Sequence, residues 1–145
     1  MKYKLENSSI NDIELIKQYK LKSIFDYADN ISEEEDLKIR KYIDKFLPNS
    51  INDYKNIVID GKINGCLLLT NKDNNLLLDE IYIEKKYQGK GIGTDIIKSI
   101  LKEHNEVYLY VYKKNTNAIN LYKKLGFKIH EETLTRYYMK YKKLI

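Results

Sequence analysis

Apolar and polar positions along this chain change period several times, and each change predicts an element. "YKLE" opens as a short strand. In "INDIELIKQYKLKSIFDYA", Ile10, Ile13, Ile16, Leu21 and Ile24 fall near helical spacing. Ser32 with Glu35 reads as the capping box of a second helix, which Pro48 is expected to end. Three strand-like runs follow: "YKNIVID", "INGCLLLT" and "LLLDEIYI". "GK" between the first two signals a tight hairpin, and "NKDNN" between the next two a polar turn. Ile92, Ile96, Ile97, Ile100 and Leu101 then share one face of a helix. "EVYLYVYK" alternates strictly, with Val107, Leu109 and Val111 on one side and Tyr108, Tyr110 and Tyr112 on the other. A last helix, from about residue 116 to 125, is closed by Gly126, and the strands "FKIH" and "TRYYMKYKKL" follow.

The expected order is β-α-α-β-β-β-α-β-α-β-β. This is a mixed α/β (α+β) class with a largely antiparallel sheet, because hairpins join most of its strands. The single crossover helix between residues 83 and 107 makes one central pair parallel.

Composition narrows this picture only slightly. The 145 residues, 43% hydrophobic and 32% charged, suit one folded domain over residues 1–145. No run is apolar enough for a membrane span, and "MKYKLENSSINDIE" has no apolar leader core, so a cytoplasmic protein without a membrane partner is expected. Cys66 stands alone and reads as a small buried hydrophobe. The net charge of +5 suits an anionic ligand, either a nucleotide cofactor or nucleic acid.

The candidate chemistry centres on "KKYQGKGIGTDIIKSIL". Gly89, Gly91 and Gly93 crowd the turn just before a helix, flanked by Lys85, Lys86 and Lys90. A helix N-terminus offers unpaired N–H groups and partial positive charge, and glycines let an anion approach them. The pattern suits a phosphate or pyrophosphate cradle. It is not a P-loop, because Thr94-Asp95 stands where Lys-Ser/Thr is needed. Nor is it the dinucleotide fingerprint, whose third glycine is replaced by Thr94.

"QGKGIG" resembles the Gln/Arg-x-x-Gly-x-Gly/Ala signature of the GCN5-related N-acetyltransferases (GNAT), through Gln88, Gly91 and Gly93. "NTNAINLYKKLGF" is similar to the family's second pattern, through Asn115, Ala118, Tyr122, Lys124, Gly126 and Phe127. The resemblance implies acetyl-CoA as donor and a primary amine, small molecule or peptide, as acceptor, joined by direct transfer in a ternary complex. It implies helices on both sheet faces and a splayed central parallel pair. It also implies that Gln88, Gly89, Lys90, Gly91, Ile92, Gly93 and Thr94 hold the pyrophosphate. Ile81, Tyr82 and Ile83 would pair with the pantetheine arm, and Asn115 would support it. By family position Tyr122 is the acid for the departing thiolate.

The residues themselves leave alternatives open. Ala118, Leu121, Tyr122 and Leu125 form a helical stripe, so Tyr122 also fits a core position. Asn115 also fits a turn or N-cap. Glu80 is the first choice as base, Asp79 the second, and a structural ion pair is an equal reading of Glu80. No spacing of His104, His130 or Cys66 suits a metal. Phe25, Tyr27, Asp29, Arg136, Tyr137 and Tyr138 are open candidates for acceptor contacts. A CoA-binding sensor without catalysis is one alternative. A single-stranded nucleic-acid module is another, suggested by tyrosines among lysines in "YLYVYKKN" and "RYYMKYKK" but ranked behind the amine reading. Monomer and homodimer are both open.

Overall fold

The structure, a computed structural model, describes residues 2–144. Strand β1 is Lys4–Asn7, followed by helices α1 (Ile13–Phe25) and α2 (Glu33–Ser50). Strands β2 (Tyr54–Ile59), β3 (Lys62–Lys72) and β4 (Asn75–Ile83) come next. Helix α3 (Ile92–Glu103) crosses to β5 (Glu106–Tyr112), and α4 (Thr116–Lys124) leads to β6 (Lys128–Glu132) and β7 (Arg136–Lys142). The strands form one sheet in the order β1-β2-β3-β4-β5-β7-β6, antiparallel except for β4 and β5. Element order and the single parallel pair are as the hydrophobic pattern predicts.

Helices cover both faces. On one, the apolar stripe of α3 packs with Val107, Leu109, Val111, Phe127 and the fully buried Met139. On the other, Ile16 and Tyr19 of α1 and Ile43 and Leu47 of α2 pack on Tyr54, Cys66 and Leu68 of β2 and β3. Cys66 is buried and free, as its apolar setting suggests.

Local details differ from expectation. Pro48 lies inside α2 rather than ending it. It forfeits one hydrogen bond near the C-terminus, where Ser50 Oγ donates to Phe46 O at 2.6 Å and Leu47 and Ile51 are anchored in the core. Ile10 is not on the buried face of α1. It sits in a 3-10 turn, 73% exposed, ahead of the helix. The β2–β3 turn is Asp60-Gly61 (φ 53° and 76°), with Ile59 paired to Lys62, so the lysine of "GK" is already in the strand. The next hairpin is equally tight: Lys72 pairs with Asn75 across Asp73-Asn74.

Two irregularities shape the centre of the sheet. β4 carries a bulge at Asp79, where the register with β3 passes from Leu69↔Leu78 to Leu68↔Glu80. A bulge bends its strand and increases its twist. Pairing of β4 with β5 ends at the same place, after Leu76↔Val107, Leu77↔Tyr108 and Leu78↔Leu109. From Asp79 to Ile83 the two strands diverge and leave a slot. At the far side, α4 ends in a Schellman motif. Phe127 N donates to Tyr122 O and Gly126 N to Lys123 O, with Gly126 at φ 104°.

Candidate active site

The slot wall formed by β4 has a defined polarity. Glu84 N donates to Asn64 O at 2.8 Å, so that residue's backbone faces β3. Backbone direction alternates along a strand. The N–H and C=O groups of Tyr82 therefore face β3, while those of Ile81 and Ile83 turn toward the slot. The side chain of Gln88 donates to Ile83 O at 2.8 Å, tying the glycine turn to the end of β4.

The turn itself is open to a ligand. Gly89 and Gly91 have φ 75° and 87°, and Gly91 is the N-cap of α3. No side chain caps this helix, whereas Ser32 caps α2 and Asn115 caps α4. The first bond of α3 is Asp95 N to Gly91 O at 3.0 Å. None of the backbone N–H groups from Gly89 to Thr94 finds an acceptor among the described residues. A Cβ on Gly89 or Gly91 would meet nothing, so the glycines serve backbone conformation and access rather than packing. On Gly93 a Cβ would come within 3.4 Å of Ile83 Cδ1. Contiguous free donors at a helix N-terminus are the physical requirement for holding a polyanionic group.

Asn115 is the N-cap of α4: its Oδ1 accepts from Ala118 N at 3.2 Å, and its Nδ2 has no partner among the described residues. Tyr122 lies in the α3/α4 core against Phe127, ring centres 5.6 Å apart, with 9% of its surface exposed. Burial pushes its phenol up to about 12, so it stays protonated at neutral pH. Its hydroxyl has no protein partner, yet no buried side-chain oxygen is left unpaired among the described residues. The hydroxyl therefore reaches the protein surface.

Glu80 lies on the opposite side of the sheet. Lys20 Nζ contacts its Oε1 at 2.5 Å, and Tyr54 OH donates to its Oε2. Burial, with the Glu80 charge beside it, pushes the Tyr54 phenol well up. Tyr82 shares the face of Glu80 and stacks on Tyr19, centres 5.0 Å apart. Burial, then the carboxylates of Asp26 and Glu84, raise the Tyr82 phenol. Asp79, at the bulge, is exposed and accepts from Thr70 Oγ1 at 3.2 Å. Thus Ile81, Ile83 and the glycine turn come together along the slot, while Tyr122 and Glu80 stand on opposite sides of the sheet. Lys20 and Tyr54, both bound to Glu80, carry no signal in the sequence. Each is one polar residue in an amphipathic segment, and only the fold makes them neighbours.

Among the described residues, no three His, Cys, Asp or Glu side chains gather at one point, and no helix is long and apolar enough to cross a membrane. The GNAT acetyltransferase domain profile matches residues 52–129, from the start of β2 into β6, which includes the slot and the glycine turn. The chain belongs to the GNAT acetyltransferase family. It is similar to the spermine/spermidine N(1)-acetyltransferase of Bacillus subtilis, 34% identical over 68 residues, 43% of this chain and 45% of that protein. It is also similar to the thialysine N-epsilon-acetyltransferase of Mus musculus, 42% identical over 57 residues, 36% of this chain and 34% of the other. The chain thus spans under half the length of the curated relatives it matches. The crystal structure of PaiA N-acetyltransferase from Thermoplasma acidophilum, in complex with coenzyme A, superposes with a TM-score of 0.75 at 25% identity. That match covers 99% of this chain and 100% of the other.

Proposed function

We propose that this chain is an acetyl-CoA-dependent N-acetyltransferase that passes the acetyl group directly to a primary amine. The observation that carries this reading is the run of unpaired backbone N–H groups from Gly89 to Thr94 at the mouth of the β4–β5 slot. Family membership supports it, as do the coenzyme A complex of the superposed neighbour and the amine acceptors in the names of the relatives.

In this reading the glycine turn holds the pyrophosphate of the donor, and Ile81 and Ile83 pair with its pantetheine arm as a missing strand would. Acetyl-CoA supplies a thioester carbonyl for attack. Ile83 N–H is the donor proposed for the oxygen that becomes negative at the tetrahedral stage. The amine attacks the carbonyl carbon as its unprotonated form, the C–S bond breaks, and the thiolate takes a proton from Tyr122. The phenol carries its proton at neutral pH, and burial, which raises its pKa, makes it a weaker donor than a free tyrosine.

The amine proton leaves on the other side of the sheet, toward Glu80. Both oxygens of Glu80 already accept a bond, from Lys20 and Tyr54, and each keeps a further lone pair for a water. Asp26, Glu84 and Tyr82 border this approach and suit a cationic acceptor.

Calorimetric titration with acetyl-CoA, followed by thiol-release assays against mono-, di- and polyamines, tests the reading. One-site binding and amine-dependent thiol release support it. Binding without release from any amine would leave a CoA sensor in place of an enzyme.

A further inference from the structure

The core beneath α1 and α2 takes side chains from β2, β3 and β4, and none from β5, β6 or β7. On that face, half of the sheet therefore has no helix over it. The register fills this half with aromatic and basic side chains. Tyr108 stands opposite Lys140, Tyr110 opposite Tyr138, and Tyr112 opposite Arg136. Lys128 extends the first row onto β6.

The rings form a ladder: Tyr108 and Tyr138 stack at 5.2 Å, and Tyr110 and Tyr138 meet at 4.5 Å. His130, at the β6 bulge, joins them 6.0 Å from Tyr138. Arg136 lies 5.1 Å from the centre of the Tyr110 ring, and Lys72 donates to its hydroxyl at 2.7 Å.

The charge of this face is one-sided. Asp73, Asp79, Glu106 and Glu131 are acids on or beside it, Asp79 accepting from Thr70, and Glu106 reaches Lys140 and Lys142 only at 4.0 and 3.9 Å. Past Lys140 the face runs into a groove at the β6 edge. That groove is lined by Lys128, His130, Lys140, Lys142 and Lys143, with no carboxylate among the described lining residues.

We propose that this face binds single-stranded nucleic acid, with Tyr110, Tyr138 and His130 contacting bases and Lys72, Arg136, Lys140 and the edge lysines contacting phosphates. Aromatic side chains beside a cationic track are how sequence-tolerant single-strand sites work. A second copy of this chain is the poorer occupant. A two-fold interface would bring these cations against themselves. Tyr110 and Tyr112 border the slot where β5 leaves β4, but the glycine turn is not part of the face, and oligonucleotide binding is read without turnover, so the inference does not depend on the proposed catalysis.

The test is fluorescence anisotropy of the full chain with a short labelled oligo(U), beside a duplex of equal length and heparin. The expected result is saturable oligo(U) binding, tighter than duplex or heparin, that weakens with salt. Tyr110→Ala and Tyr138→Ala should each weaken it roughly tenfold. Lys72→Glu, on an exposed side chain outside the core, should weaken binding and reduce its salt dependence. It decides the matter if a tyrosine variant fails to melt cooperatively. Heparin and duplex binding as tightly as oligo(U), with tyrosine variants unchanged, would reduce the face to unspecific attraction and overturn the proposal. So would absence of oligo(U) binding together with a concentration-dependent dimer that Tyr110→Ala disrupts.

Discussion

Gly65 lies directly against the backbone of Tyr82: a Cβ at Gly65 would overlap the Tyr82 carbonyl oxygen and sit 3.2 Å from Ile83 Cα. The contact falls where β4 has left β5, so β3 is the remaining strand that supports this wall of the slot. Gly65→Ala is therefore expected to destabilise the protein by about 2 kcal/mol or more, since the overlap is with backbone and cannot be relieved by a rotamer. Thermal melting reads this as a fall of several degrees. An unchanged Tm would mean that the two strands separate at no cost.

Gly91→Val addresses the glycine turn. The residue has φ 87°, and an added Cβ meets no protein atom within 4 Å. The expected stability loss is about 1–2 kcal/mol from backbone strain. Acetyl-CoA affinity should fall by roughly tenfold or more, because N–H groups move and the approach narrows. Calorimetry separates the two effects. Full affinity in the variant would remove the turn as the pyrophosphate site.

Tyr122→Phe keeps the ring against Phe127 and removes only the hydroxyl. If Tyr122 protonates the thiolate, kcat should drop about a hundredfold with little change in KM for acetyl-CoA. Steady-state kinetics checks this. Turnover at the original rate would make Tyr122 a packing residue.

Glu80→Gln is read through pH. If Glu80 receives the amine proton, the acidic limb of the kcat/KM profile should change and the profile move toward higher pH. A profile of the same shape at a lower plateau would instead mark the Lys20–Glu80–Tyr54 contacts as structural.

Alkaline stability follows from four phenols that the fold makes harder to ionise. Tyr122 and Tyr3 are raised to about 12, Tyr122 by burial and Tyr3 by burial and its bond to Asp95. Tyr19 and Tyr54 rise further. In the unfolded chain these groups lose their protons near pH 10, while the fold retains them. The stabilisation is complete below pH 10 and is lost as pH climbs toward 12. For Tyr122 alone this amounts to roughly 3 kcal/mol. Denaturant melts between pH 8 and pH 11.5, taken as about these limits, should show stability falling only in the upper part. A flat profile would mean that folding leaves these phenols as easy to ionise as they are in the unfolded chain.

The fold was legible where side-chain periodicity alone decides it. Val107, Leu109 and Val111 alternate with tyrosines because one side of β5 is core, and the α3 stripe is equally regular. Pro48 was not legible as a helix residue, since the burial of Leu47 and Ile51 overrides a local penalty. The hairpin tip shifted to Asp60-Gly61 because only pairing partners define a register. In the site, local motifs revealed the glycine turn and the Asn115 cap, which depend on neighbours in sequence. The Glu80 contacts join residues 20, 54 and 80, and a single sequence carries no trace of them. Alternation also identified the tyrosine side of β5 but not that α1 and α2 stop short of it.

The strand order β5-β7-β6 has a consequence for biogenesis. β6 is synthesised before β7, yet among the described residues β7 is the one strand it pairs with. While the ribosome is still making β7, β5 has an unpaired edge and β6 has no partner. An exposed strand edge is a template for intermolecular pairing. Slow translation or truncation between residues 133 and 136 would therefore be far more damaging than a longer loop at the same place, because it strands two edges at once.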